Sequence, residues 1–137
     1  MTTFIANQVL TAAQLNAALT QHEEELTAGE NVVDGDLCYL KTDGKLWKAD
    51  ADAATTANTL LGIATETILA DATGTFHLRG KYTTSGLTTG NTYYVSTTAG
   101  EWTNSPATDS GDIIRIVGYA LSTTVLYFSP DATYLEI

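Results

Sequence analysis

A chain of 137 residues with 44% hydrophobic content is sized for about one domain and can bury roughly two thirds of its unfolded surface, which excludes a disordered tail. Its 16 acidic residues against 6 basic ones give a net charge of −10, which speaks against nucleic acid and against an anionic membrane surface. The same balance suits a solvated exterior, or complementarity to a basic patch on a partner. Cys38 is the only cysteine, so an intrachain disulfide is ruled out. Between Leu37 and Tyr39 in a strand pattern it reads as a buried, inert thiol. The N-terminus lacks the basic start and apolar core of a signal peptide, and no apolar run approaches the ~20 residues of a membrane span. Synthesis in the cytoplasm is the expectation.

In chain order, residues 1–10 read as an extended arm with apolar anchors, among them Phe4 and Ile5. Thr11 and Gln14 form a capping-box pattern that predicts a helix from about Ala12 to Leu26. Ala12, Leu15, Leu19, His22 and Leu26 recur at alternating spacings of three and four, an a/d seam of about two heptads. Such a helix can pack its stripe on the rest of the domain or pair with copies of itself around an oligomer axis. Two heptads are marginal alone, so self-pairing would need further contacts. His22 reads as a tolerated polar residue of the seam rather than a metal ligand, and Glu23-Glu24-Glu25 as a solvated helix face. Gly29 closes this first segment, residues 1–29.

Residues 30–137 read as β. Leu37–Lys41 and Lys45–Ala49 flank Thr42-Asp43-Gly44, a hairpin signal because Asp-Gly accepts φ > 0. A loop over 50–59, a strand over 60–67, a turn at 71–74 and a strand over 75–79 follow, and 80–89 reads as a bridge. Strands over 91–97 and 100–103 form a second hairpin around Thr98-Ala99-Gly100. A loop over 104–111 and strands over 113–121 and 124–129 lead to Pro130. Tyr134 to Ile137 is a short apolar tail suited to a neighbouring surface.

This β region is written twice, over about 31–80 and 86–131. Gly35, Tyr39, Leu40 and Thr42 meet Gly90, Tyr94, Val95 and Thr97 at a constant offset. One extra residue in the second turn carries Gly44 to Gly100, Gly62 to Gly118 and Ala64 to Ala120. Short strands with dense turn signals predict a mainly β fold, a sandwich or barrel built from two tandem similar units and preceded by the arm and helix. Tyr39, Tyr94, Trp47 and Trp102, at matching repeat positions, are the candidate core or half-exposed aromatics.

Chemistry is sparse. Asp34/Asp36 and Asp50/Asp52 are paired carboxylates in turn-like contexts, where Asp bonds its own backbone. A glycosidase would need two carboxyls across a cleft, and a calcium loop a longer ligand series. His22 and His77 come from different elements, and one cysteine adds too little for zinc. His77, alternating with Phe76 and Leu78, is expected to point away from the core with Arg79. Nucleophile-elbow and phosphate-loop patterns are missing. The reading is of a protein that is not an enzyme, with no cofactor and no metal site. Trp47 and Trp102 could stack on sugars, although packing is the commoner use of such aromatics.

Gly35-Asp36-x-x-Tyr39, Asp43-Gly44-Lys45-Leu46, Lys48-Ala49-Asp50-Ala51, Leu61-Gly62-Ile63-Ala64 and Leu78-Arg79-Gly80 together resemble a module of tailed-bacteriophage virion proteins. The stretch from Gly90-Asn91-Thr92-Tyr93-Tyr94-Val95-Ser96 through Val117-Gly118-Tyr119-Ala120-Leu121-Ser122 to Phe128-Ser129-Pro130-Asp131 resembles the same module. Val9-Leu10-Thr11-Ala12-Ala13-Gln14-Leu15-Asn16-Ala17-Ala18-Leu19 is similar to the N-termini of phage fibre and head-associated proteins. The resemblance implies a non-enzymatic structural protein of the virion, often trimeric, of the capsid decoration (cement) or head-fibre type. It transfers no functional residue. The expectation is a homotrimer on the outer head surface, bound to the major capsid protein, with Phe4, Ile5, Leu15, Leu19, His22 and Leu26 at the oligomer or capsid interface. The alternative is a receptor- or glycan-binding module of a tail fibre.

Overall fold

The computed structural model describes residues 21–137. The arm, Phe4, Ile5, Leu15, Leu19 and the first part of the expected helix therefore lie outside the described residues.

The strands are β1 (Gln21–Thr27), β2 (Leu37–Leu40), β3 (Leu46–Lys48), β4 (Leu61–Ala64), β5 (Thr73–Thr83), β6 (Thr92–Val95), β7 (Trp102–Thr103), β8 (Ile113–Ile114), β9 (Ile116–Ala120), β10 (Val125–Phe128) and β11 (Leu135–Glu136). A single 3-10 turn, Ala54–Thr56, is the one helical element among the described residues. The fold is mainly β. A 9-stranded antiparallel sheet runs β3-β2-β4-β5-β10-β9-β6-β7, with β1 added on β5. It curls into a half-barrel whose ends meet through backbone bonds. Leu37 N donates to Gly100 O at 2.9 Å, Gly100 N to Ala49 O at 2.8 Å and Ala51 N to Ser96 O at 2.8 Å.

The helix expected through Leu26 is not what residues 21–27 form. They are a strand, paired antiparallel with Thr73–Gly80. The long β5 presents backbone donors and acceptors that β1 satisfies, and this pairing overrides a local preference worth only tenths of a kcal/mol per residue. Glu23, Glu24 and Glu25 are exposed on β1, where a run of like charges discourages further strand addition. The bridge expected at 80–89 also begins later, because β5 continues to Thr83 and there pairs with β10. The tail is held within its own chain: β11 pairs with β8, with Tyr134, Leu135 and Ile137 left exposed.

The order β3-β2-β4-β5 is mirrored by β7-β6-β9-β10. The turns that open the two sets carry the same bonds. Asp36 N to Val33 O (3.0 Å), Gly35 N to Ala64 O (2.8 Å) and Ala64 N to Asp36 O (2.9 Å) recur as Asn91 N to Thr88 O (3.1 Å), Gly90 N to Ala120 O (2.8 Å) and Ala120 N to Asn91 O (3.0 Å). At the hairpins, Gly44 and Gly100 have φ of 82° and 84°, a region that penalises any Cβ.

Two cores result. The inner one fills the curl with Leu37, Tyr39, Leu61, Ile63, Tyr82, Tyr93, Val95, Val117, Leu126 and Phe128, drawn from both halves. The outer one lies on the opposite face of the first half, where Ala28, Val32 and Ile68 cover Cys38, Leu46, Ala64 and Phe76.

Candidate functional site: the surfaces of the sheet

In the second half the outer face has no such cover among the described residues. Tyr93, Val95, Leu126 and Phe128 point inward, so Thr92, Tyr94, Val125 and Tyr127 point outward. Cross-strand register aligns Lys81 with Tyr127, Tyr127 with Tyr119 and Tyr119 with Thr92, a row laid over four strands. Tyr94, opposite Ile116, extends it. Tyr119 is 45% exposed, and Tyr94, Ile116 and Tyr127 are half-buried. An open face carrying three tyrosines is a candidate contact surface, since large uncovered apolar patches are uncommon on isolated soluble domains.

Tyr39 is buried in the inner core, whereas Tyr94 lies on the outer face and Tyr93 takes the inward place. The exchange is already present upstream of the longer turn: Tyr93 pairs with Gly118 as Cys38 pairs with Gly62, yet Cys38 lies in the outer core and Tyr93 in the inner one. Trp47 pairs with Tyr39, whereas the extra turn residue places Thr103 opposite Tyr94 and Trp102 opposite Val95. Both tryptophans are engaged in packing. Trp47 lies against Gly29, donates through Nε1 to Asp43 Oδ2 (3.0 Å) and carries Lys41 Nζ 4.5 Å from its ring centre. Trp102 meets Tyr82 edge-on at 5.9 Å.

His22 is exposed on β1 and bonds Glu24 at 3.0 Å, while Leu26 packs beside the outer core of its own chain. His77 does not point away from the core. It is 2% exposed, with its ring 6.0 Å from Tyr82 and 6.3 Å from Phe128. Phe76 and Leu78 do share one face, in the outer core, but the opposite face of β5 meets the inner core as well, so His77 is buried there. Nδ1 of His77 lies 3.6 Å from Glu23, and Nε2 is buried without a partner among the described residues.

The paired carboxylates serve turns. Asp36 accepts from Val33 N (2.9 Å) and stands 4.0 Å from Lys48, and Asp50 accepts from Asp52 N (3.1 Å) and Thr56 Oγ1 (3.0 Å). Asp34 accepts from the Tyr82 hydroxyl at 2.6 Å, and burial together with that carboxylate pushes the phenol's pKa up. Burial, aided by Asp36 and Glu30, raises the Cys38 thiol to about 12, so it is neutral and inert at ordinary pH.

Sequence reasoning overlooked Arg115. It is 6% exposed and holds three carbonyls: Nε bonds Asp131 O (2.8 Å), and Nη1 bonds Ala57 O (2.8 Å) and Thr59 O (2.6 Å). It thereby fastens the 50–60 loop to the chain beyond β10. Desolvation lowers its pKa, yet a guanidinium stays charged. A signal was present: one arginine inside the apolar run Ile113-Ile114-Arg115-Ile116-Val117. Compared with known proteins, the chain matches no family model and no curated protein.

Proposed function

We propose that this protein is a structural component of a tailed-phage virion, a decoration (cement) protein that seats on the outer head surface as a homotrimer. Its two halves derive from a duplicated strand unit, and its work is done by the faces that the sheet presents. The mirrored strand order and the recurring turn bonds at Gly35/Ala64 and Gly90/Ala120 support the duplication. The observation that carries the reading is the uncovered row Lys81–Tyr127–Tyr119–Thr92 on the outer face of the second half. Tyrosine offers large, rigid contact area at little entropic cost, and many such contacts repeated over a capsid lattice add by multivalency. Added interface between neighbouring capsid subunits would resist internal DNA pressure. Light scattering of the purified protein should give a trimer, and the protein should saturate undecorated heads. A monomer without affinity for heads overturns the reading.

A glycan-binding role in a tail fibre is the second reading, favoured by the same aromatic row lying across the open outer face of the sheet. The tryptophans do not serve it, since both are held by packing. Saturable binding on a polysaccharide panel, lost in Tyr119→Ala, would select this reading over decoration.

A further inference from the structure

On another side of the molecule, an open groove of about 340 Å³ runs between the end of the 50–60 loop and the segment after β10. Its floor and walls are apolar, with Leu60, Leu61, Leu78 and Pro130, while Arg79 and Arg115 line it as well. Leu60 is 44% exposed there. Burial of a guanidinium ordinarily brings a carboxylate with it, because desolvation of an unpaired charge costs several kcal/mol. Arg115 has no direct ion pair among the described residues, and the Asp131 carboxylate acts on it only from beyond contact distance. Its bonds use Nε and Nη1 and go only to carbonyls. Nη2 has no partner among the described residues, yet it is not among the sealed polar atoms, where only His77 Nε2 stands. The free edge of the guanidinium therefore opens on the groove. Arg79 spends Nη1 on Ser129 Oγ at 3.1 Å and adds a second positive charge nearby.

We propose that this groove binds an acidic peptide segment of a partner protein: a carboxylate side chain set on Arg115, flanked by apolar side chains on the leucine floor. Two cationic side chains over an apolar floor, in a chain otherwise so acidic, complement that chemistry and reject a neutral peptide. The carboxylate supplies the directly bonded counter-ion that the more distant Asp131 does not, by a charge-assisted bond to Nη2. The site stands independently of any role in a capsid.

The test titrates the ¹⁵N-labelled full chain with the blocked tripeptide acetyl-Leu-Glu-Leu-amide and, separately, with its Leu-Gln-Leu counterpart. The Glu peptide should give saturable shifts at the amides of Leu60, Leu61 and Leu78 and at the Arg115 side chain. The Gln peptide should bind at least about tenfold more weakly, since it forgoes the charged bond. Removing Arg115 endangers the fold, so the informative variant is Leu60→Glu, at an exposed position. It places a carboxylate in the groove and should abolish binding of the Glu peptide while the rest of the spectrum stays unchanged. Equal shifts from both peptides, no shifts up to about 10 mM, or unaltered binding in Leu60→Glu overturns the proposal.

Discussion

The two halves of the sheet have the same strand order and opposite finishes. In the first, residues before β2 and between β4 and β5 fold back over the outer face, so that Phe76, Cys38 and Leu46 are all fully buried. In the second, the chain before β6 turns inward instead, delivering Leu87 to the inner core and leaving Tyr94, Tyr119 and Tyr127 uncovered. One outer face is covered and buried, and the other is left open among the described residues. A strand order used twice supplies a shared inner core, and what each copy carries on its outer face then decides its role.

The comparison breaks if the outer core of the first half is dispensable. Phe76→Ala should cost about 3–5 kcal/mol, because a fully buried ring leaves a cavity between two layers that cannot close. Denaturant unfolding measures it, and a loss near zero would mean that the covering layer does not pack. The same core gives a pH signature. The Cys38 thiol has its pKa raised from 9.0 to about 12 in the folded chain. The folded state thus keeps its proton where the unfolded state loses it, so the contribution is intact below about pH 9 and shrinks as pH climbs toward 12. By pH 10.5 the loss should reach about 2 kcal/mol, and Cys38→Ala should remove that part of the slope. Tyr82, raised as well, adds a loss in the same direction starting near pH 10.

The halves can also be compared at matched glycines. Gly62 on β4 faces Cys38, and Gly118 on β9 faces Tyr93. A Cβ on Gly118 would fall on the carbonyl oxygen of Tyr127, a backbone atom of the neighbouring strand. A Cβ on Gly62 would meet Leu78 Cδ2 at 3.0 Å, the end of a side chain that can rotate. Gly118→Ala should therefore cost about 1–3 kcal/mol and Gly62→Ala less than about 1. Equal thermal shifts would show that β9 and β10 approach no more closely than β4 and its neighbours.

Much of the β framework is legible in the residues. Asp43-Gly44 and Ala99-Gly100 mark the hairpins because their geometry needs positive φ, and alternation around them places β2, β3, β6 and β7 to within a residue or two. The misreadings share one cause, interactions distant in sequence. Residues 21–27 have a helical spacing of apolar positions, but an available edge on β5 makes them a strand. His77 alternates with Phe76 and Leu78 as expected, but β5 carries a core on each face, so the side expected to meet solvent meets Tyr82 and Phe128. Tyr94 matches Tyr39 by alignment, yet the second half turns the matched position to its outer face and gives the inner place to Tyr93. Arg115 is conspicuous only as a charge in an apolar run. Its three carbonyl partners come from residues 57, 59 and 131, and no local pattern announces them.

The smallest effect on stability should carry the largest effect on assembly. Tyr119 and Tyr127 face one another on the open side of β9 and β10, and neither belongs to either core. Replacing both by Ser should change unfolding free energy by no more than about 0.5 kcal/mol, as for surface positions generally. If the open face is where copies or capsid subunits meet, the double variant should scatter light as a smaller species and fail to saturate undecorated heads. Contact residues at the centre of an interface commonly cost about 2 kcal/mol or more each when truncated, and repetition over a lattice multiplies the loss. A variant that is both stable and fully assembled would move the contact surface elsewhere on the molecule. A variant that unfolds would show that the tyrosines are a third core rather than a face, and the contrast between the two halves would then dissolve.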